Sequence, residues 1–99
     1  MLPEYYKATV SVTYNDGSRH QYTETFDVTD TETRNSLYKW LLGFHKVTLD
    51  EFNANNLMAG IAPLGSTSMS RHDAAAQQHA LYTLLASNED IVTTLVKLP

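Results

Sequence analysis

The chain contains no cysteine. Disulfide staples, thiol nucleophiles and cysteine-ligated zinc are excluded at once. A domain this small often needs staples when it is secreted, so the absence favours a reducing compartment. No apolar run approaches the length of a membrane span, and Met1-Leu2-Pro3-Glu4 lacks the basic and apolar regions of a signal peptide. A soluble, cytoplasmic protein is the expectation. Positive charge is also scarce. Seven Lys and Arg stand against eleven Asp and Glu, a net charge of -4. That disfavours attraction to phosphate backbones by bulk electrostatics. Nucleic acid is therefore not the expected partner.

The acids could instead imitate nucleic acid, but their positions argue otherwise. Asp30, Glu32, Asp50, Glu51, Asp73, Glu89 and Asp90 all fall where helix starts are predicted. Carboxylates there complement unsatisfied N–H groups and the helix dipole. With 42% apolar and 18% charged residues in 99, one globular domain with a modest core is expected.

What the chain does have is a hairpin pattern. Tyr6, Ala8, Val10, Val12 and Tyr14 alternate with polar residues, and a second alternation runs through Tyr22, Phe26 and Val28. Between them lies Asn15-Asp16-Gly17. A two-residue loop would set even residues opposite odd ones and split the apolar face. A three-residue loop keeps the parity, pairing Tyr14 with Ser18, Val12 with His20, Val10 with Tyr22 and Tyr6 with Phe26. Gly17 then takes the left-handed position of a type I turn plus bulge. A five-residue loop is the other solution that preserves parity.

Helices are predicted next. Thr29-x-x-Glu32 fits a capping box, and Leu37, Trp40, Leu41 and Phe44 trace one helical face that ends near Phe44. Trp40 is assigned to the core on that spacing. His45-Lys46-Val47 is either a connector or a short strand. Thr48-x-x-Glu51 opens a second helix, with Gly60 as its C-terminal cap. The stretch from Ile61 to Arg71 reads as a loop. Asp73 is expected to cap a third helix, Ala74 to Ala86, with Ala74, Gln78, Leu81 and Leu85 as its stripe. Residues 91–98 are ambiguous. The spacing of Ile91, Leu95 and Leu98 favours a helix, and the β-branched run favours a strand. The helix is the preferred reading. The fold class is α+β: an N-terminal antiparallel β-hairpin packed by three to four short helices on one face. An isolated hairpin is marginal. A third strand is therefore expected from residues 46–48, from the C-terminus or from another copy of the chain.

No motif points to catalysis, a metal or a cofactor. His72 and His79 are seven apart, about 10 Å along a helix, too far to share a metal. Ser70, His72 and Asp73 are sequence neighbours, poorly placed to form a triad. They read more simply around a helix start, with Ser70 and Asp73 competing for the cap. The segment Ser66, Ser68, Ser70, Arg71 and His72 ahead of a helix outlines an anion cradle for a phosphorylated molecule or nucleotide. It lacks a P-loop motif and a lysine, and Asp73 adds a repelling charge.

Two features remain. Glu24 lies on the apolar face of the predicted hairpin, opposite Ala8. An open sheet edge, a basic neighbour (Lys7, Arg19, Arg34 or Lys39) or a contact surface would explain it. Six tyrosines are more than so small a body buries, and tyrosine is enriched at protein interfaces. The sequence is therefore read as a non-enzymatic protein-binding module, without cofactor. Tyr5, Tyr6, Tyr22 and Glu24 are its contact residues on the hairpin. Its partner is another protein or a second copy. Compact acidic chains of this type are common among phage and mobile-element accessory proteins that act on a host protein as inhibitors or adaptors. A ligand-binding domain using residues 65–72 and an assembly protein using the hairpin edge are the alternatives.

Overall fold

The computed structural model describes residues 3–63 and 70–99. Its elements run β1 (Tyr5–Thr13), β2 (Arg19–Asp27), α1 (Thr31–Gly43), α2 (Leu49–Met58), α3 (Arg71–Leu85) and β3 (Ile91–Lys97). The three strands form one antiparallel sheet in the order β2-β1-β3. The shortest extent of the molecule is 18 Å, room for one sheet and one helical layer. The architecture is α+β, as expected, with three helices among the described residues.

The hairpin has the register that parity demands. Tyr6 pairs with Phe26, Ala8 with Glu24, Val10 with Tyr22 and Val12 with His20. The three-residue loop closes through Tyr14 N–H to the Ser18 carbonyl at 2.8 Å and Gly17 N–H to the Tyr14 carbonyl at 2.9 Å. Gly17 has φ of 85°, the left-handed conformation the bulge needs. The Asp16 carboxylate accepts from Ser18 N–H at 2.9 Å and from its hydroxyl, which stiffens the turn.

The C-terminal segment corrects the helical reading of 91–98. It is a strand, paired antiparallel to β1 from Tyr6↔Lys97 to Val12↔Ile91. The β-branched side chains win because β1 offers a full second row of backbone donors and acceptors. Glu89 and Asp90 consequently stand in the turn before β3 and not at a helix start. Asp90 N–H there donates to the Asn88 side chain at 3.0 Å.

Two of the three helix caps differ by one to three residues from those predicted. The N-cap of α1 is Asp30, whose carboxylate accepts from Thr33 N–H at 2.9 Å, so the box at Thr29 is out of frame by one. Thr29 instead binds Asp27 and accepts from Glu4 N–H at 3.0 Å. Thr48 caps α2 as expected, accepting from Glu51 N–H at 3.1 Å. Ser70, not Asp73, caps α3, accepting from Asp73 N–H at 3.1 Å. A hydroxyl three residues ahead of a carboxylate gives the box its usual polarity, with the acid inside the first turn.

Helices α1 and α2 end at left-handed residues. Gly60, at φ of 75°, closes α2, with Ile61 N–H reaching back to the Asn56 carbonyl at 2.7 Å. After α1 the same role falls to Lys46, at φ of 57°. Val47 N–H donates to the Leu42 carbonyl at 3.2 Å, so 45–47 is a helix terminus and connector and not a strand.

The core is small: Ala8, Val10, Val28, Leu37, Leu41, Leu42, Phe52, Leu81 and Leu85. Leu41 and Leu42 are both fully buried, yet neighbours on a helix point about 100° apart. Helix α1 is therefore covered on two sides, by the sheet and by α2. Trp40 lies at the margin of this core and not inside it. On α3 the buried stripe is Gln77, Leu81 and Leu85, while Ala74 and Gln78 are exposed. Gln77 donates to the carbonyls of Ala62, at 2.6 Å, and Pro63, which ties the segment after α2 to α3. No helix among the described residues is long and apolar enough to cross a membrane.

Two stability results are expected from denaturant titrations. Gly17→Ala places a Cβ in open space, so its cost is the backbone alone, about 1 kcal/mol. A neutral result would show that the turn relaxes out of the left-handed conformation. Leu42→Ala should cost about 2–5 kcal/mol, a large share of the stability of a domain this size. A loss below ~1 kcal/mol would mean that the α1–α2 side closes over the cavity.

Candidate protein-binding surface along strand β2

Strand β2 is an edge strand, and its even-numbered side chains face the helical layer. Helix α1 covers that row through two aromatic residues. Trp40 lies 5.5 Å from Phe26, ring centre to ring centre, and Phe44 lies 5.2 Å from Tyr22. Trp40 meets Phe44 edge-on at 4.9 Å. His20 extends the chain, 4.4 Å from Tyr22. Beyond it the Tyr14 hydroxyl is 2.8 Å from that of Tyr22. These tilted and edge-on contacts are the preferred geometries for aromatic pairs, worth about 0.5–1.5 kcal/mol each beyond area burial.

The result is a continuous aromatic strip: Tyr14, His20, Tyr22, Phe44, Trp40 and Phe26. Tyr22, Phe26, Trp40 and Phe44 are half-buried. Tyr14 and His20 are exposed at the hairpin end. Glu24 sits between Tyr22 and Phe26 on the same row and is exposed. Its cross-strand neighbour is Ala8, too short to shield it. Among the described residues none of Lys7, Arg19, Arg34 and Lys39 forms an ion pair with it; the ion pair found is Lys97 with Glu4 at 4.0 Å. Arg34 leans instead on the Val28 carbonyl at 3.4 Å. The carboxylate therefore meets solvent among aromatic faces, on a sheet edge.

The contact residues expected from sequence divide between two faces. Tyr22 and Glu24 share the strip. Tyr6 lies on the same face but on the central strand, half-buried beside Phe26. Tyr5 points to the opposite face, where no helix lies among the described residues, and is 45% exposed. Neither tyrosine stands on an open edge, because β3 occupies the second side of β1. Tyr14, His20, Trp40 and Phe44 join the surface without having been singled out for it. The hairpin register places Tyr14 and His20 beside Tyr22, and the helical spacing puts Trp40 and Phe44 on one face. Only the docking of α1 over β2 was missing from the sequence signal.

The anion cradle is a weaker arrangement. Ser66 and Ser68 lie outside the described residues. Ser70 already uses its oxygen as a cap, and Arg71 and His72 are exposed around the first turn of α3. Among the described residues no group of three or more His, Asp or Glu side chains is placed to hold a metal.

One acid, Glu24, stands among the rings of the strip. The hydrogen bond to Tyr22 raises the Tyr14 phenol above its ordinary value. His45, next to Phe44, has a buried Nε2 without a hydrogen-bond partner, and burial lowers its pKa below 6.5. The unfolded chain then binds protons more readily than the folded one. The His45 contribution is fully present above pH 6.5 and is lost as pH falls below it. Thermal unfolding between pH 7.5 and 5.5, a window bracketing the ordinary histidine value, should show this loss, and His45→Leu should flatten it. An equal pH slope in both proteins would rule out His45 as its source.

Against known proteins, the chain matches no family model, no curated sequence and no solved structure.

Proposed function

We propose that this protein is a non-enzymatic protein-binding module, cytoplasmic, that works through the β2 strip. The observation that supports this is Glu24, an exposed carboxylate without an ion-pair partner among the described residues, set between aromatic side chains on a sheet edge. Aromatic rings give large contact area at small entropic cost, and a central charge selects orientation. The partner surface this fits carries an apolar ridge with a lysine or arginine at its middle. A small inhibitor or adaptor of phage or mobile-element type, acting on a host protein, is the form of the proposal that the acidic, compact composition supports.

Capture experiments test it. The tagged wild type should retain a partner that Glu24→Lys and Tyr14→Ala lose, each by about tenfold or more in affinity. Asp50→Lys, at the start of α2, makes the same charge change as Glu24→Lys away from the strip and should bind normally. Circular dichroism establishes that all three remain folded. Equal retention by Glu24→Lys and the wild type would remove the strip from the binding surface.

A further inference from the structure

Among the described residues the sheet has a second open edge, on β3. Two bonds bracket its pairing with β1: Thr13 N–H to the Asp90 carbonyl at 2.8 Å, and Leu98 N–H to the Tyr5 carbonyl at 2.9 Å. They fix which residues bond inward. Even-numbered residues of β3 exchange bonds with β1, so the backbone groups of Thr93, Leu95 and Lys97 point away from the sheet. Ile91 does too, and its N–H is already taken by the Asn88 carbonyl at 3.1 Å.

The two edges are defended differently. Strand β2 carries Arg19, His20, Glu24 and Asp27, and charge along an edge discourages strand addition. From Ile91 to Val96, β3 has no charge, no glycine and no proline. Val92 and Val96 point to the face without helices and are 57% and 50% exposed. On the other face a groove of about 490 Å³ opens between α3 and β3, lined by Tyr82, Leu85, Thr93 and Leu95 among others. Acids stand just before the strand, at Glu89 and Asp90, and a base closes it, at Lys97.

We propose that β3 pairs antiparallel with β3 of a second copy, about a two-fold axis at Thr94, joining the two sheets into one. The inference rests on the fold alone and is independent of the β2 strip. Outward backbone groups belong to odd residues, so odd must face odd. Centring on Thr94 satisfies this. Thr93 then exchanges both bonds with Leu95 of the second copy, and Lys97 N–H donates to the Ile91 carbonyl. The same register sets Val92 against Val96 of the second copy in a non-hydrogen-bonded pair, where side chains come closest. Shifting the axis to Thr93 or Leu95 keeps the parity but separates the valines. The strand is also polar end to end, and antiparallel pairing brings the Lys97 end of one copy to the Glu89–Asp90 end of the other. An isologous, closed contact of this kind consumes both uncharged edges and leaves the charged β2 edges outermost.

Sedimentation velocity over a wide concentration range should show a reversible monomer–dimer equilibrium. Val92→Lys and Val96→Glu should each weaken the dimer by about tenfold or more, and the double variant should restore it. The rescue is specific to this register. Within one chain the two positions are four residues apart on a strand, about 13 Å, too far to compensate each other. Amide hydrogen exchange gives a readout without substitution: Thr93 and Leu95 N–H should gain protection as concentration rises. A wild type that stays monomeric, single variants that dimerise as it does, a double variant no better than the singles, or growth into open-ended species would each overturn the proposal.

Discussion

Strand β1 carries backbone hydrogen bonds on both sides, and its Ala8 and Val10 are both fully buried. Each neighbour reaches it by a different route. Strand β2 arrives through a three-residue turn that needs Gly17 in the left-handed conformation. Strand β3 arrives from the far end of the chain, after all three helices. The hairpin is local and forms at small loop-closure cost; β3 closes the longest loop in the protein. Yet a two-stranded sheet is marginal alone. The helical layer, too, needs the whole sheet beneath it: α1 contacts β2, α3 contacts β3, and the buried leucines of both helices belong to one cluster with Ala8 and Val10. The structure is thus cooperative across its full length, although its core is small.

The hairpin was legible in the sequence because three independent constraints agree. Alternation sets the faces, parity limits the loop length, and Gly17 fits a single place in the turn. The ends of helices were legible to within a few residues for the same local reasons, as at Thr48 and Gly60. The fate of 91–98 was not. Its spacing suits a helix and its β-branched residues suit a strand, and the deciding term is an unpaired edge of β1 supplied by residues far away in sequence. The displaced cap at Thr29 has a similar origin. Thr29 is drawn off to bind Asp27 and Glu4, where β2 ends and β1 begins, which leaves Asp30 to start the helix.

The candidate site shows the same division. Glu24 stood out because period two places it on an apolar face, where an acid has to be explained. The aromatic strip around it combines two patterns that are each readable, the hairpin register and the helical spacing of Trp40 and Phe44. Their contact depends on how α1 crosses β2, which neither pattern contains. Assigning Trp40 to the core followed from the helical stripe. Leu37 and Leu41 of that stripe are buried, joined by Leu42, while Trp40 and Phe44 pack at the margin beside β2.

The two edges of the sheet then follow from one physical problem with two solutions. An edge strand exposes unpaired backbone groups and must be guarded or used. Strand β2 is guarded, with Arg19 and Asp27 at its ends and Glu24 in its middle, and its aromatic side chains are held in place by α1. What it offers a partner is side-chain surface. Strand β3 has no such guard over Ile91 to Val96, and its free backbone groups alternate with exposed valines on one face. What it offers is the backbone itself. Side-chain recognition selects a partner by shape and charge, while backbone pairing accepts any strand of matching register. Register specificity at β3 must therefore come from its own sequence. The acid-to-base polarity of the strand and the symmetric placement of Val92 and Val96 about Thr94 supply it.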